Sequence, residues 1–186
     1  RKDPATAEHA RRVEFFSEAI ARELGLSETE CLEVALAALL HDVGKIGVCD
    51  TILLKPGPLS DGERAQMRTH AELGSDLVSD TPAPLDAIRA VRHHHERWDG
   101  QGYPSGLAGE AIPLASRIIG VADSFDAMTS RRPYRDPISP QEALEELRRE
   151  AGQQFDPAVV RAFLQTYDKL IQAEGAARVQ ALYGMV

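Results

Sequence analysis

The sequence predicts an all-α fold, and three observations carry that reading. Apolar residues recur at helical spacing, as in Val13, Phe16, Ile20 and Leu24; sustained period-two alternation is hard to find; and helix-start signals are frequent. The 186 residues match the usual size of one domain and suffice to bury a core, so a single domain over 1–186 is expected.

The elements follow in order. Asp3-Pro4 has N-cap and N1 chemistry and predicts a helix from about Pro4 to Leu24, closed by Gly25 as a C′ glycine. Ser27-Glu28-Thr29-Glu30 is a capping box, with Leu26 and Cys31 spaced as a hydrophobic staple, so a second helix starts near residue 28. Its run CLEVALAALL, 31–40, is apolar around nearly the whole circumference, the pattern of a central helix enclosed by others. Ser60 to Glu63 repeats the capping box. Pro82 and Pro84 mark a turn before a helix from about Leu85 to His95. Four glycines at 100, 102, 106 and 109, with Pro104 and Pro113, make 99–113 an irregular loop. Leu114 to Met128 reads as helix, Ser139 to Glu142 as a third capping box with proline at N1, and Asp156-Pro157 as the start of a helix to about Tyr167.

Composition excludes several functions. A net charge of −8 argues against a nucleic-acid polymer or an anionic membrane as partner, since both need clustered Lys and Arg. The longest apolar run, Val34 to Leu40, is far short of the ~20 residues a bilayer span needs. Two cysteines, Cys31 and Cys49, are too few for a disulfide framework or a Cys-based zinc site, which fits a reducing, cytoplasmic compartment.

The chemistry lies in six histidines, at 9, 41, 70, 93, 94 and 95, and in acids placed among apolar residues. His41-Asp42 ends the apolar helix, and His94-His95 ends the helix before the loop. Adjacent helical residues point about 100° apart, so such pairs cannot clamp one ion from mid-helix, but at a helix end or across two ions they can. A buried His-Asp hydrogen bond is the plain alternative. Asp123 and Asp126 lie i, i+3 inside the apolar stretch IIGVADSFDAM, a costly location for carboxylates without partners. Imidazoles and carboxylates without thiolates suit a catalytic Fe, Mn, Co, Ni or Zn centre.

Four stretches, HDVGKIG at 41–47, ILLKPGPLSDGE at 52–63, HHERWDGQGYPSGLAGEAIP at 94–113 and ADSFDAMTSRRPY at 122–134, resemble the successive signatures of the HD-GYP domain. This is a branch of the HD superfamily of metal-dependent phosphohydrolases. The resemblance runs from the His9 region to FDP at 155–157. It implies an HD-domain helical bundle with additional helices and an irregular GYP loop, excised from a longer signalling protein, that hydrolyses cyclic di-GMP to pGpG and on to GMP. It implies metal ligands at His9, His41, Asp42, His70, His94, His95 and Asp123, with Asp42 bridging two divalent transition-metal ions and His93 left as a neighbour. Iron or manganese is the first expectation, with zinc, cobalt or nickel as alternatives. Members with three metals carry a Glu where this chain has Ala5, which favours two. The same resemblance implies Asp42, Lys45 and Asp126 as the catalytic group, Asp126 being expected to orient Lys45; Lys45, Arg132, Arg135 and Tyr103 are expected to hold substrate. The branch is associated with GGDEF-domain partners through its loop. Three alternatives stay open at this point: a hydrolase of another nucleotide, a catalytically silent module binding ligand or partner, and a helical segment forming a homodimer.

Overall fold

The computed structural model describes residues 4–130 and 136–174. Among the described residues the regular structure is helical, apart from one isolated bridge between Ala151 and Phe155. In chain order the helices are α1 (Pro4–Glu23), α2 (Glu28–Leu40), α3 (Asp50–Leu53), α4 (Asp61–Arg68), α5 (His70–Ser79), α6 (Leu85–His93), α7 (Leu114–Thr129), α8 (Pro140–Arg149) and α9 (Pro157–Glu174). Two 3₁₀ turns, Val43–Gly47 and Gly109–Ala111, follow α2 and precede α7.

The local start signals act as their chemistry dictates. Ser27, Ser60 and Ser139 each accept the N3 backbone N–H while the N3 glutamate accepts the N-cap N–H. Gly25 takes φ +79°, a conformation favoured by glycine, and its N–H and that of Leu26 bond back to Arg22 and Ala21 as a Schellman closure. The α5 helix has no such signal: Thr69 precedes it in helical conformation with no side-chain cap, so α5 continues from α4 after a bend.

The core is built where α1, α7 and α9 meet. Phe16, Phe125 and Phe163 pack edge to face at centroid spacings of 4.8–5.6 Å, with Val13, Ile20, Ile118 and Val159 buried around them. His9 lies four residues before Val13, so it prolongs the core-facing stripe of α1 towards one end of the bundle. Enclosure of α2 is less complete than its composition predicts. Val34, Ala35, Ala37 and Ala38 are buried against α1, α6 and α7, but Leu32 and Leu39, seven residues apart, stay exposed on one stripe.

A cluster of imidazoles and carboxylates shared by one aspartate

The end of the bundle gathers residues from five helices and their termini. α1 supplies His9, the end of α2 supplies His41 and Asp42, the start of α5 supplies His70, the end of α6 supplies His94 and His95, and α7 supplies Asp123. Two groups form, Asp42 with His70, His94 and His95, and Asp42 with His9 and His41; within each, one possible ligand atom per residue lies within 4.8 Å of the others.

Asp42 belongs to both groups, and its two oxygens divide between them. Oδ1 faces His70 Nε2 at 3.6 Å, whereas Oδ2 faces His41 Nε2 at 3.5 Å and His9 Nε2 at 3.9 Å. Lys45 Nζ also donates to Oδ2 at 2.5 Å. Gly44 lets this turn approach α5, because a Cβ there would stand 2.0 Å from the His70 carbonyl oxygen and 2.4 Å from Gly74 N.

The imidazoles are set as acceptors. His41, His70 and His94 each donate Nδ1–H to the carbonyl three residues earlier, Ala38, Met67 and Val91, at 2.6–2.7 Å. That fixes the tautomer and leaves an Nε2 lone pair on each ring pointing into the cluster. The Nε2 atoms of His70 and His94 are 3.4 Å apart, and the buried Nε2 of His41 has no hydrogen-bond partner. Two lone pairs at that spacing repel unless a cation lies among them, so these residues fit a metal. Burial keeps His70 and His94 below their ordinary pKa and pushes His95 down to about 4, so all three are neutral near pH 7, the form that ligates. For Asp42 burial opposes ionisation, but neighbouring His41, Lys45 and His94 and the Lys45 hydrogen bond hold its carboxyl well below the usual range.

His9 is aimed from the other side. Its Nδ1 donates to Asp126 Oδ2 at 2.6 Å, and its Nε2 is 3.4 Å from Asp123 Oδ1, so one ring spans two carboxylates one turn apart on α7. Arg12 donates Nε to Asp126 Oδ1 at 2.5 Å. The expectation that Asp126 orients Lys45 is therefore corrected: Asp126 is held by Arg12 and orients His9, while Lys45 bonds to Asp42. Arg12 was invisible as a site residue because its partner is 114 positions away. Its only local sign was its position one turn after His9.

The GYP loop closes one wall. Gly102 sits where a Cβ would be 2.4–2.6 Å from the backbone of residues 95–97, and Tyr103 donates its N–H to the His95 carbonyl at 3.2 Å. Tyr103 thereby stacks on His95, with centroids 4.8 Å apart, and burial raises its pKa so that the phenol stays protonated. Glu96, absent from the sequence expectation, is the anchor: its fully buried carboxylate accepts N–H groups from Ser105 at 2.7 Å and Leu107 at 3.1 Å. His93 faces Glu96 at 3.5 Å and joins neither cluster. Arg132 and Arg135 lie outside the described residues.

Comparisons with known proteins agree with this architecture. An HD domain family model matches residues 1–159. The chain is 46% identical over 165 residues to a cyclic di-GMP phosphodiesterase of Thermotoga maritima, covering 88% of this chain and 45% of that protein. It is 43% identical over 177 residues to the cyclic di-GMP phosphodiesterase response regulator RpfG of Xanthomonas campestris, covering 94% of this chain and 47% of that one. The chain thus spans about half the length of these relatives. The crystal structure of a cyclic GMP-AMP specific phosphodiesterase of Vibrio cholerae superposes with a TM-score of 0.70 at 24% identity, over 95% of this chain and 48% of that chain, a likeness of fold. The chain belongs to the HD domain family, in its HD-GYP branch.

Proposed function

We propose that this domain hydrolyses cyclic di-GMP at a centre of two divalent transition-metal ions, iron or manganese first, opening the ring to pGpG and then cleaving it to GMP. The observation that carries the reading is Asp42, one carboxylate whose separate oxygens face separate groups of imidazole acceptors. Asp42, His70, His94 and His95 would hold one ion, and Asp42, His9, His41 and Asp123 the other. Bound there, such ions supply Lewis acidity, lowering the pKa of water towards ~7 and offsetting charge on phosphate oxygens.

The chain's own residues do the rest. Asp126 orients His9, the buried Nδ1–H bonds orient His41, His70 and His94, and Lys45 sits at the edge of the cluster within reach of a phosphate. Arg132 and Arg135 are assigned to the substrate phosphates from sequence alone. A net acidic domain can take a dianionic ligand in this way because the cationic field is confined to one cleft. A silent binding module has no use for seven candidate ligand side chains, four of them imidazoles oriented through Nδ1. The GYP loop is assigned as the contact for a GGDEF-type partner, and the cytoplasm as the compartment. Among the described residues no helix is long and apolar enough to cross a membrane.

The test is anaerobic metal loading, elemental analysis and product identification on one preparation, with 3′3′-cyclic GMP-AMP and pGpG as competing substrates. Asp42→Ala is expected to lose turnover while keeping its helical circular dichroism. Unchanged turnover refutes the shared-ligand centre, and faster cleavage of a competitor reassigns the substrate.

A further inference from the structure

Among the described residues, the arginines and lysines around the cluster are mostly committed. Lys45 is bonded to Asp42, Arg12 to Asp126, Arg92 to Glu72 and Arg117 to Asp156. Arg68 differs. It ends α4, is exposed, and has no carboxylate within ion-pair distance among the described residues. Its guanidinium lies over the Tyr103 ring at 4.8 Å, and that ring also stacks on His95, with centroids 4.8 Å apart. The cation is therefore within about 10 Å of a ligand of the cluster, held by an aromatic face and lacking a counter-charge.

That position has a chemical use. A cyclic dinucleotide carries two phosphates on opposite sides of its macrocycle, and only the scissile one can lie in the metal cluster. A partly open cavity of about 60 Å³ lies beside His94, His95 and Asp123, towards Trp98 and Asp156, and neither Asp42, His70 nor Arg68 lines it. Arg68 is exposed and within about 10 Å of the His95 ring, so a substrate with one phosphate at the cluster can bring its second one to the guanidinium. A guanidinium presents a flat fork of donors that matches two phosphate oxygens, and stacking on Tyr103 orients the fork in advance.

Resting on the proposed hydrolysis of cyclic di-GMP, we propose that Arg68, held on the Tyr103 ring, binds the non-scissile phosphate of the substrate and so favours cyclic dinucleotides over single phosphodiesters. Glu96 and Gly102 take part as positioning residues, because they fix the loop that carries Tyr103.

The experiment compares wild type with Arg68→Gln and Arg68→Lys, all manganese-loaded, on cyclic di-GMP and on bis(p-nitrophenyl) phosphate, which has one phosphate. Arg68→Gln is expected to raise KM for cyclic di-GMP about tenfold with kcat within about twofold, and to leave the single diester and the metal content unchanged. Arg68→Lys recovers part of the loss, since it keeps the charge but not the fork. The variant's KM also depends less steeply on salt. An unchanged KM for cyclic di-GMP overturns the inference, as does an equal loss on both substrates or a loss of metal, either of which marks a structural role. Wild type that loads metal but leaves cyclic di-GMP intact overturns the proposed function, and this inference with it.

Discussion

Gly44→Ala is the smallest change that tests whether the approach of the 43–47 turn to α5 sets the centre. The added Cβ would meet the His70 carbonyl oxygen at 2.0 Å, Gly74 N at 2.4 Å and Gly74 Cα at 2.9 Å, all backbone atoms that no side-chain rotation can move. Restoring ordinary contact needs the two segments to part by about 1 Å or more. The segment displaced begins with His70, whose Nε2 stands 3.6 Å from Asp42 Oδ1, so the shift falls on the contact between one imidazole group and its shared carboxylate. A displacement of that size costs on the order of 100-fold in turnover, and overpacking costs about 1–3 kcal/mol of stability. Gly62→Ala is the control: its Cβ meets nothing within 4 Å, and alanine gains about 0.5–1 kcal/mol in a helix. The assay is metal content by elemental analysis, kcat on cyclic di-GMP and a urea melt of each variant. Full metal content and a kcat within twofold of wild type in Gly44→Ala would refute the reasoning.

Two further outcomes are expected. Asp126→Asn weakens the grip on His9 and lowers affinity at the His9 side by about 10–100-fold while the His70 side keeps its ion, so metal content falls from about two to about one per chain; equal retention of both sides contradicts the role given to Asp126. The metal-free domain loses stability as pH falls from about 6.5 to 4, because an unfolded chain protonates His70, His94 and His95 in that window while the fold resists; the contribution vanishes above pH 6.5, where both states are neutral. His95 alone, pushed down to about 4, accounts for about 3 kcal/mol, and urea midpoints in chelator that stay flat from pH 7 to 4.5 would contradict it.

Local chemistry was legible in the sequence and distant pairing was not. The three serine capping boxes, the Gly25 closure and the starts led by Pro140 and Pro157 each act within a few residues, and each is present in the fold, whereas Asp3, the cap expected before Pro4, lies outside the described residues. The start of α5 was not legible, because Thr69 stays helical and offers no side-chain cap. Leu32 and Leu39 misled in another way: composition tells that a helix is apolar but not which stripe its neighbours leave open. The gathering of His9, Asp42, His70 and Asp123 followed from a family resemblance, since spacings of dozens of residues carry no periodic signal. Asp126 was read with the wrong partner for the same reason, Arg12 and His9 both being on α1. Glu96 escaped notice because its partners are backbone N–H groups, which every residue of the loop except proline possesses.

The three rings whose Nδ1 bonds to the carbonyl three residues back are aimed by main chain alone. The side chains at Ala38, Met67 and Val91 therefore have no say in how the rings are aimed, and what must be inherited at those sites is only a helical turn. A histidine three residues after a helical carbonyl thus has its ring oriented without recruiting an outer carboxylate. Drift at those positions is limited by packing, whereas drift at Asp126 alters how His9 is presented.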